Sequence, residues 1–142
     1  MLPDRYLELL KEQLLREEGF RAHPYMDTTG HVTIGIGRNL VDVGITLDEA
    51  MHMLTNDIHA CEAQLEQYGA FIALDPVRKM VLIDLCFNLG FGGLEQFVKF
   101  WAAIRHHDYK LAGDELRNSR WYGQVKVTRA ENLIRMLESG SI

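Results

Sequence analysis

The fold is decided in residues 24–37, which read PYMDTTGHVTIGIG. From residue 32 to residue 37 a branched apolar residue alternates with a threonine or a glycine, and this period of two is typical of a β-strand. Gly30 provides a turn before the strand. Residues 25–27 and 31–36 are therefore predicted to pair as a small antiparallel β-hairpin.

The alternation also predicts what the two faces of the strand carry. Val32 and its alternating apolar neighbours form one face, and Thr33, Gly35 and Gly37 form the other. The second face thus combines one hydroxyl with bare backbone groups. Such a face suits an extended polar polymer that lies across the strand.

Helical periodicity precedes and follows the hairpin. Apolar residues recur every three to four positions over residues 3–17, and Gly19 is the expected terminator of this first helix. Further helices are predicted over residues 47–68, 77–89, 94–106 and 109–118, with a last helix that ends at Gly140. The helix at 77–89 is apolar nearly all round, so we expect it at the centre of the fold.

Two of these helices begin with the pattern of a capping box, in which a threonine hydroxyl and a glutamate carboxylate bind backbone donors reciprocally. The first box is Thr46 with Glu49, and the second is Thr128 with Glu131. Both helices are therefore predicted to start at these threonines.

Length and composition favour one α+β domain over residues 1–142. The chain has 142 residues, of which 47% are hydrophobic and 25% charged, enough to bury a continuous core. We expect a hairpin lobe of about residues 12–45, which contains the polar side chains considered below as candidates for catalysis. The larger helical lobe is predicted to combine residues 1–11 with residues 46–142.

Charge and hydropathy exclude several classes of partner. The net charge is −5, with −8 over residues 1–75 and +3 over residues 76–142, so the sequence predicts no nucleic-acid partner. No apolar run approaches the roughly 20 residues that a membrane span requires. The first twenty residues lack the apolar core of a secretory signal, so we expect synthesis in the cytoplasm. Cys61 and Cys86 fall in helical segments and are predicted to be free thiols.

No metal or cofactor site emerges from the sequence. His52 and His59 are seven residues apart on one predicted helix, about 10 Å along its axis, which is too far for a shared metal ion. The pair Gly35 and Gly37 lacks the third glycine of a dinucleotide-binding loop. We therefore expect neither a metal nor a cofactor.

Three polar side chains near the hairpin are candidates for catalysis. Glu18 ends the first helix, Asp27 ends the first strand, and Thr33 lies in the second strand. Two carboxylates in different environments are the minimum for cleaving a glycosidic bond, because one donates a proton and the other activates water. Each residue type is also commonplace at such a position, so the spacing alone leaves an ordinary structural role open.

The residues from Glu18 to Gly37 resemble the signature of the phage-type lysozymes, with the glutamate, aspartate and threonine followed by the double-glycine strand. The resemblance continues through residues 78–90, which are similar to the central buried helix of that family, and through residues 119–124 with Arg129. It implies a lysozyme-like α+β fold with an N-terminal helix, a small β-sheet lobe and a larger helical lobe.

The resemblance also implies roles for individual residues. Glu18 matches the general acid, Asp27 the second catalytic carboxylate and Thr33 the hydroxyl that orients water. Arg129 matches the arginine that pairs with the catalytic glutamate. The residues expected to bind substrate are Gly35, Asn88, Gln124 and Arg129. Arg38 stands where the best-known relatives have a histidine.

The implied activity is that of an endo-acting muramidase, which hydrolyses the β-1,4 bond between N-acetylmuramic acid and N-acetylglucosamine in peptidoglycan, with inversion at the anomeric carbon. Two alternatives stay open at this point: a lytic transglycosylase acting on the same bond, and a non-catalytic glycan-binding or structural module. The expected partner is the glycan strand. The protein is expected to act at the cell wall, either as a monomer released at lysis or attached to a phage or prophage particle.

Overall fold

The computed structural model describes all residues, Met1 to Ile142, and shows an α+β protein. The chain forms two compact units, Met1–Met51 and His52–Ile142. The elements in chain order are α1 (Asp4–Glu18), β1 (Arg21–Met26), β2 (Val32–Gly35), β3 (Arg38–Asn39), α2 (Leu47–Leu65), α3 (Gly69–Ile72), α4 (Pro76–Leu89), α5 (Phe91–Glu95), α6 (Val98–Arg105), α7 (Tyr109–Arg117), α8 (Arg120–Gln124) and α9 (Val127–Ser139). None of the helices is both long and apolar enough to cross a membrane.

The first unit contains α1 and a three-stranded antiparallel sheet in the order β1-β2-β3. The first helix ends at Glu18, as predicted, and Gly19 follows with φ +71° while its N–H binds Leu15 O. Strand β1 is an edge strand with a register shift between Arg21 and Tyr25. Pro24 lies in this irregular segment, where a residue without an N–H is tolerated.

The sheet differs from the prediction after Gly35, where β2 ends and a third strand follows. Gly35 and Gly37 have φ of +66° and +73°, and Ile34 pairs with Arg38 across the loop that contains them. Gly35 thus ends β2 and Gly37 lies in the tight turn that follows, both with a positive φ that residues with a Cβ rarely adopt. The predicted face of Thr33, Gly35 and Gly37 is wrong beyond Gly35, because the pleat does not continue through this loop.

The second unit is built around the predicted central helix. In α4, Val81, Leu82, Leu85 and Cys86 are each 1% exposed or less. Asp75 caps the helix by accepting from the N–H of Arg78, and a proline occupies the first turn. Cys61 and Cys86 are free thiols, and burial, with the thiol of Cys61 nearby, raises the pKa of Cys86 to about 12.

Two predicted helices of this unit are shorter than expected. The segment 47–68 is helical only to Leu65, and the segment 94–106 is divided between α5 and α6. At this break Phe97 leaves the helical conformation, and the indole Nε1 of buried Trp101 donates to Leu94 O at 3.0 Å. Leu94 O also accepts from the backbone N–H of Phe97 at 3.2 Å, so the indole adds a second donor to a carbonyl at the end of α5.

One capping box forms and the other does not. Thr46 and Glu49 make all the expected bonds, including Thr46 N to Glu49 Oε2 at 2.8 Å and Glu49 N to Thr46 Oγ1 at 3.2 Å. Helix α9, in contrast, begins at Val127 after Lys126, with no side-chain cap. The predicted box of Thr128 and Glu131 is wrong, because Glu131 binds Arg117 and Tyr122 instead.

Candidate active site

Glu18 is held at the end of α1 with its side chain against the loop after β2. It is exposed, and its Oε2 would lie 3.3 Å from a Cβ placed on Gly37. A carboxylate at the C-terminus of a helix meets the negative end of the helix dipole, which is mildly unfavourable for a negative charge.

Asp27 is fixed at the turn between β1 and β2 by a set of hydrogen bonds that all end on Oδ1. The donors are the backbone N–H of His31 at 2.8 Å, the hydroxyl of Thr29 at 2.8 Å and the backbone N–H of Thr29 at 2.9 Å. The second oxygen, Oδ2, takes part in none of them. The bond from the His31 backbone, followed by that from the Thr29 side chain, holds the pKa of Asp27 below its usual range, so the group is ionised at neutral pH.

Thr33 lies in the middle strand and is the one buried polar residue of the protein, with 3% of its surface exposed. Its Oγ1 donates to His31 O at 3.0 Å. Since a threonine hydroxyl has a single proton, the remaining capacity of this oxygen is to accept. A water molecule held by Thr33 would thus donate to it.

The first unit contains all three of the predicted catalytic residues. Thr33 pairs with Tyr25 across β1 and β2, and opposite residues in an antiparallel pair share a face. Asp27 follows Tyr25 by two residues and continues that side of the sheet. Glu18 approaches the same sheet from α1 through its contact with Gly37.

The other predicted substrate-binding residues lie partly in the second unit. Asn88 is exposed near the end of α4, and its Oδ1 accepts from the indole Nε1 of Trp121 at 2.9 Å. Gln124 is the exposed last residue of α8. Gly35 is in the first unit, where it is the last residue of β2 and pairs with Arg21 of β1.

Arg129 has a partner within its own unit that the sequence did not indicate. Its Nη2 donates to Asp84 Oδ1 at 2.7 Å, and both residues line an apolar cavity of about 380 Å³ between α2, α4 and α9. The pairing of Arg129 with Glu18 stays a prediction. Asp84 is a residue that the sequence reasoning missed, since an aspartate within a nearly all-apolar helix was its only signal.

Two further contacts near the site were not anticipated. Arg38, which stands in place of the family's histidine, forms an ion pair with Glu49 and donates to Gly44 O at 3.1 Å. Thr29 and His31 surround Asp27 in the turn. Their signal in the sequence is the spacing of two and four residues after an aspartate, which is typical of a side chain that binds its own turn.

Comparison with known proteins places the chain in a family. A family model described as phage lysozyme matches residues 15–135. Probable T4-type lysozymes 1 and 2 of Dictyostelium discoideum are 23% and 26% identical over 94% of this chain and 95% of each relative. The pre-baseplate central spike protein Gp5 of enterobacteria phage T4 is 26% identical over 94% of this chain, which spans only 28% of that protein.

The family match and the T4-type lysozyme relatives thus show a glycoside hydrolase of the lysozyme type. The chain belongs to the phage lysozyme family.

Proposed function

We propose that this enzyme hydrolyses the β-1,4 bond between N-acetylmuramic acid and N-acetylglucosamine within peptidoglycan strands, with inversion at the anomeric carbon. The observation that carries this proposal is the state of Asp27. Its carboxylate is held ionised by three donors on Oδ1, and Oδ2 is left out of these bonds. A carboxylate in that state accepts a proton from water near neutral pH.

In the proposed reaction Glu18 donates its proton to the glycosidic oxygen as the bond from that oxygen to the anomeric carbon breaks. A water molecule, which donates one hydrogen bond to Thr33 Oγ1, attacks the anomeric carbon from the opposite side. Asp27 takes the second proton of that water through Oδ2. The products are an alcohol on one sugar and a hemiacetal on the other, while Glu18 is left ionised and Asp27 protonated.

Asn88 is proposed to bind the substrate as a hydrogen-bond donor. Because its Oδ1 accepts from the buried Trp121, the amide orientation is fixed and Nδ2 is directed away from that bond. Gly35, Gln124 and Arg129 are proposed to contribute further contacts to the glycan.

The substitution Glu18→Gln tests the role of the acid. It should lower the rate of sacculus clearing by about 100- to 10,000-fold, the usual contribution of a general acid, while binding to purified sacculi stays nearly intact. Glu17→Gln is the matched control, because Glu17 is the preceding exposed residue of α1 and bonds only to a neighbouring glutamine in the same helix. Equal clearing by Glu18→Gln and the wild type would contradict the role of Glu18 as the acid. Binding to sacculi without clearing by the wild type itself would favour a non-catalytic glycan-binding module.

Product analysis separates hydrolysis from the lytic transglycosylase reaction. A transglycosylase needs one acid and forms 1,6-anhydro sugars, whereas hydrolysis gives reducing ends. An ionised Asp27 on the same hairpin as the hydroxyl of Thr33 favours the use of water. Proton NMR of the first anomer formed distinguishes inversion from retention.

The cell wall is the proposed place of action, reached after release at lysis or by delivery with a phage or prophage particle. Similarity to a baseplate spike protein supports delivery with a particle. Recovery of the protein with purified particles would favour that route, and recovery only in the soluble fraction would favour release.

A further inference from the structure

Two polar side chains of the β1–β2 turn form a chain of short contacts that ends at Asp27. Thr29 Oγ1 lies 2.8 Å from Asp27 Oδ1 and 2.6 Å from His31 Nδ1. His31 Nδ1 is itself 3.7 Å from Asp27 Oδ1. The threonine hydroxyl therefore sits between the imidazole and the carboxylate.

The direction of the hydrogen bonds in this chain follows from the number of protons available. An ionised carboxylate only accepts, and the hydroxyl of Thr29 has one proton, which must go to Asp27. Thr29 Oγ1 then has only lone pairs to offer to His31. Nδ1 of His31 must carry a proton for this contact to be a hydrogen bond, whether the ring is neutral or charged.

We propose that His31 and Thr29 are positioning residues for Asp27, linked in the order His31 Nδ1–H to Thr29 Oγ1–H to Asp27 Oδ1. This inference rests on the proposed role of Asp27 as the residue that activates water. This chain of hydrogen bonds, called the relay below, ends on the same oxygen, Oδ1, as the backbone donors from Thr29 and His31. Together these bonds fix the rotation of the carboxylate. Oδ2 is thereby held as the oxygen that meets the water.

This arrangement requires an uncommon state of the histidine. A neutral imidazole in water prefers to carry its proton on Nε2, and a protein selects the other tautomer only by bonding Nδ1–H to an acceptor. In this turn that acceptor is Thr29 Oγ1. The side chain of His31 is about half exposed, so burial does not impose the tautomer.

Nitrogen NMR of the full chain tests the tautomer directly. Histidine labelled with ¹⁵N is observed near pH 8, above the ordinary histidine pKa of about 6.5, and the His31 signals are assigned by their loss in His31→Phe. We expect a protonated Nδ1 and an unprotonated Nε2 for His31 in the wild type. In Thr29→Val, which lacks the hydroxyl, His31 should return to the Nε2–H tautomer, whereas Thr29→Ser should keep Nδ1–H.

Kinetics on purified sacculi test the positioning role. Loss of one hydrogen bond to the carboxylate should lower kcat about two- to tenfold in Thr29→Val and His31→Phe, with KM unchanged. Thr29→Ser and His31→Asn, whose amide nitrogen replaces Nδ1–H, should recover most of the rate. His23→Phe is the matched control in β1 and should leave both constants unchanged.

The outcomes separate this inference from the proposed function. An Nε2–H tautomer of His31 in the wild type would overturn the relay, even if Asp27→Asn is inactive and the catalytic role of Asp27 stands. Equal kcat for Thr29→Val and Thr29→Ser would also overturn it. A fully active Asp27→Asn would overturn the proposed function, and the positioning role with it, whichever tautomer is found.

Discussion

The carboxylate of Glu18 lies directly against Gly37, with Oε2 3.3 Å from the point where a Cβ would stand. The two residues are far apart in sequence, so their contact joins the end of α1 to the loop between β2 and β3. Gly37 also has φ +73°, in the left-handed region that favours glycine. Position 37 thus needs a glycine for two independent reasons, one conformational and one steric.

The substitution Gly37→Ala should therefore affect both stability and activity. Because alanine is strained in the left-handed conformation, the substitution should lower the free energy of unfolding by about 1–2 kcal/mol. The methyl group should also displace the Glu18 carboxylate and reduce kcat by about ten- to a hundredfold, since small misplacements of a catalytic group are costly. Urea unfolding and sacculus clearing measure the two effects.

Gly44→Ala provides the control for the steric effect. Gly44 has a similar φ of +63°, but the nearest atom to its added Cβ is Leu40 O at 4.0 Å. The Gly44→Ala variant should lose a similar amount of folding stability and keep the wild-type rate of sacculus clearing. Equal rates for the two alanine variants would show that Gly37 matters only for the conformation of the loop.

The hydrogen bonds to Asp27 predict an acid-dependent contribution to stability. They lower the pKa of the folded carboxyl below its ordinary value of 3.8, chiefly through the His31 backbone N–H. The ionised group therefore stabilises the folded protein fully above that ordinary value, and this contribution disappears as the pH falls through the lowered pKa. Urea unfolding of the wild type and Asp27→Asn should show a difference at pH 7 that shrinks steadily below about pH 4. A difference that is independent of pH would contradict this linkage.

Asn88 should have separable structural and functional roles. Removing its carbonyl in Asn88→Ala leaves the indole N–H of Trp121, which is 2% exposed, without its acceptor, and should destabilise the protein by about 1–3 kcal/mol. Asn88→Asp keeps an acceptor and should preserve most of the stability, but it loses the Nδ2 donor and should raise KM for glycan. Adding Trp121→Phe to each variant tests the pairing, because the loss caused by Asn88→Ala should then become smaller. Equal losses in both backgrounds would show that the two side chains do not depend on each other.

Much of the fold could be predicted because local signals and tertiary structure agree. Gly19 ends α1 as predicted, and Asp75 with Pro76 begins the buried α4. The extent of β2 could not be predicted, since glycine has no Cβ and alternation alone does not distinguish a pleated strand from a turn at Gly35. The predicted division of the chain into lobes, with residues 1–11 in the helical lobe, stays a prediction.

The candidate site illustrates the same limit. The sequence predicts Glu18, Asp27 and Thr33 as catalytic residues, and all three fall in one compact unit. The residue types did not indicate that the three hydrogen bonds to the Asp27 carboxylate all end on Oδ1, because this depends on the hairpin register that brings His31 N within 2.8 Å. Which of two carboxylate oxygens is occupied is a property of backbone geometry that residue types do not encode.

The two capping patterns offer a matched test of when a local signal is sufficient. Thr46→Ala removes a hydroxyl that binds Glu49, and should cost about 0.5–2 kcal/mol of stability. Thr128→Ala changes a residue already inside α9, so the loss should stay below about 0.5 kcal/mol. Glu131→Gln should still lower the stability, because it weakens the bonds to Arg117 and Tyr122 that join α9 to α7 and α8. Equal losses for the two threonine variants would show that the Thr128 pattern caps its helix after all, and that α9 begins at Arg129 rather than at Val127.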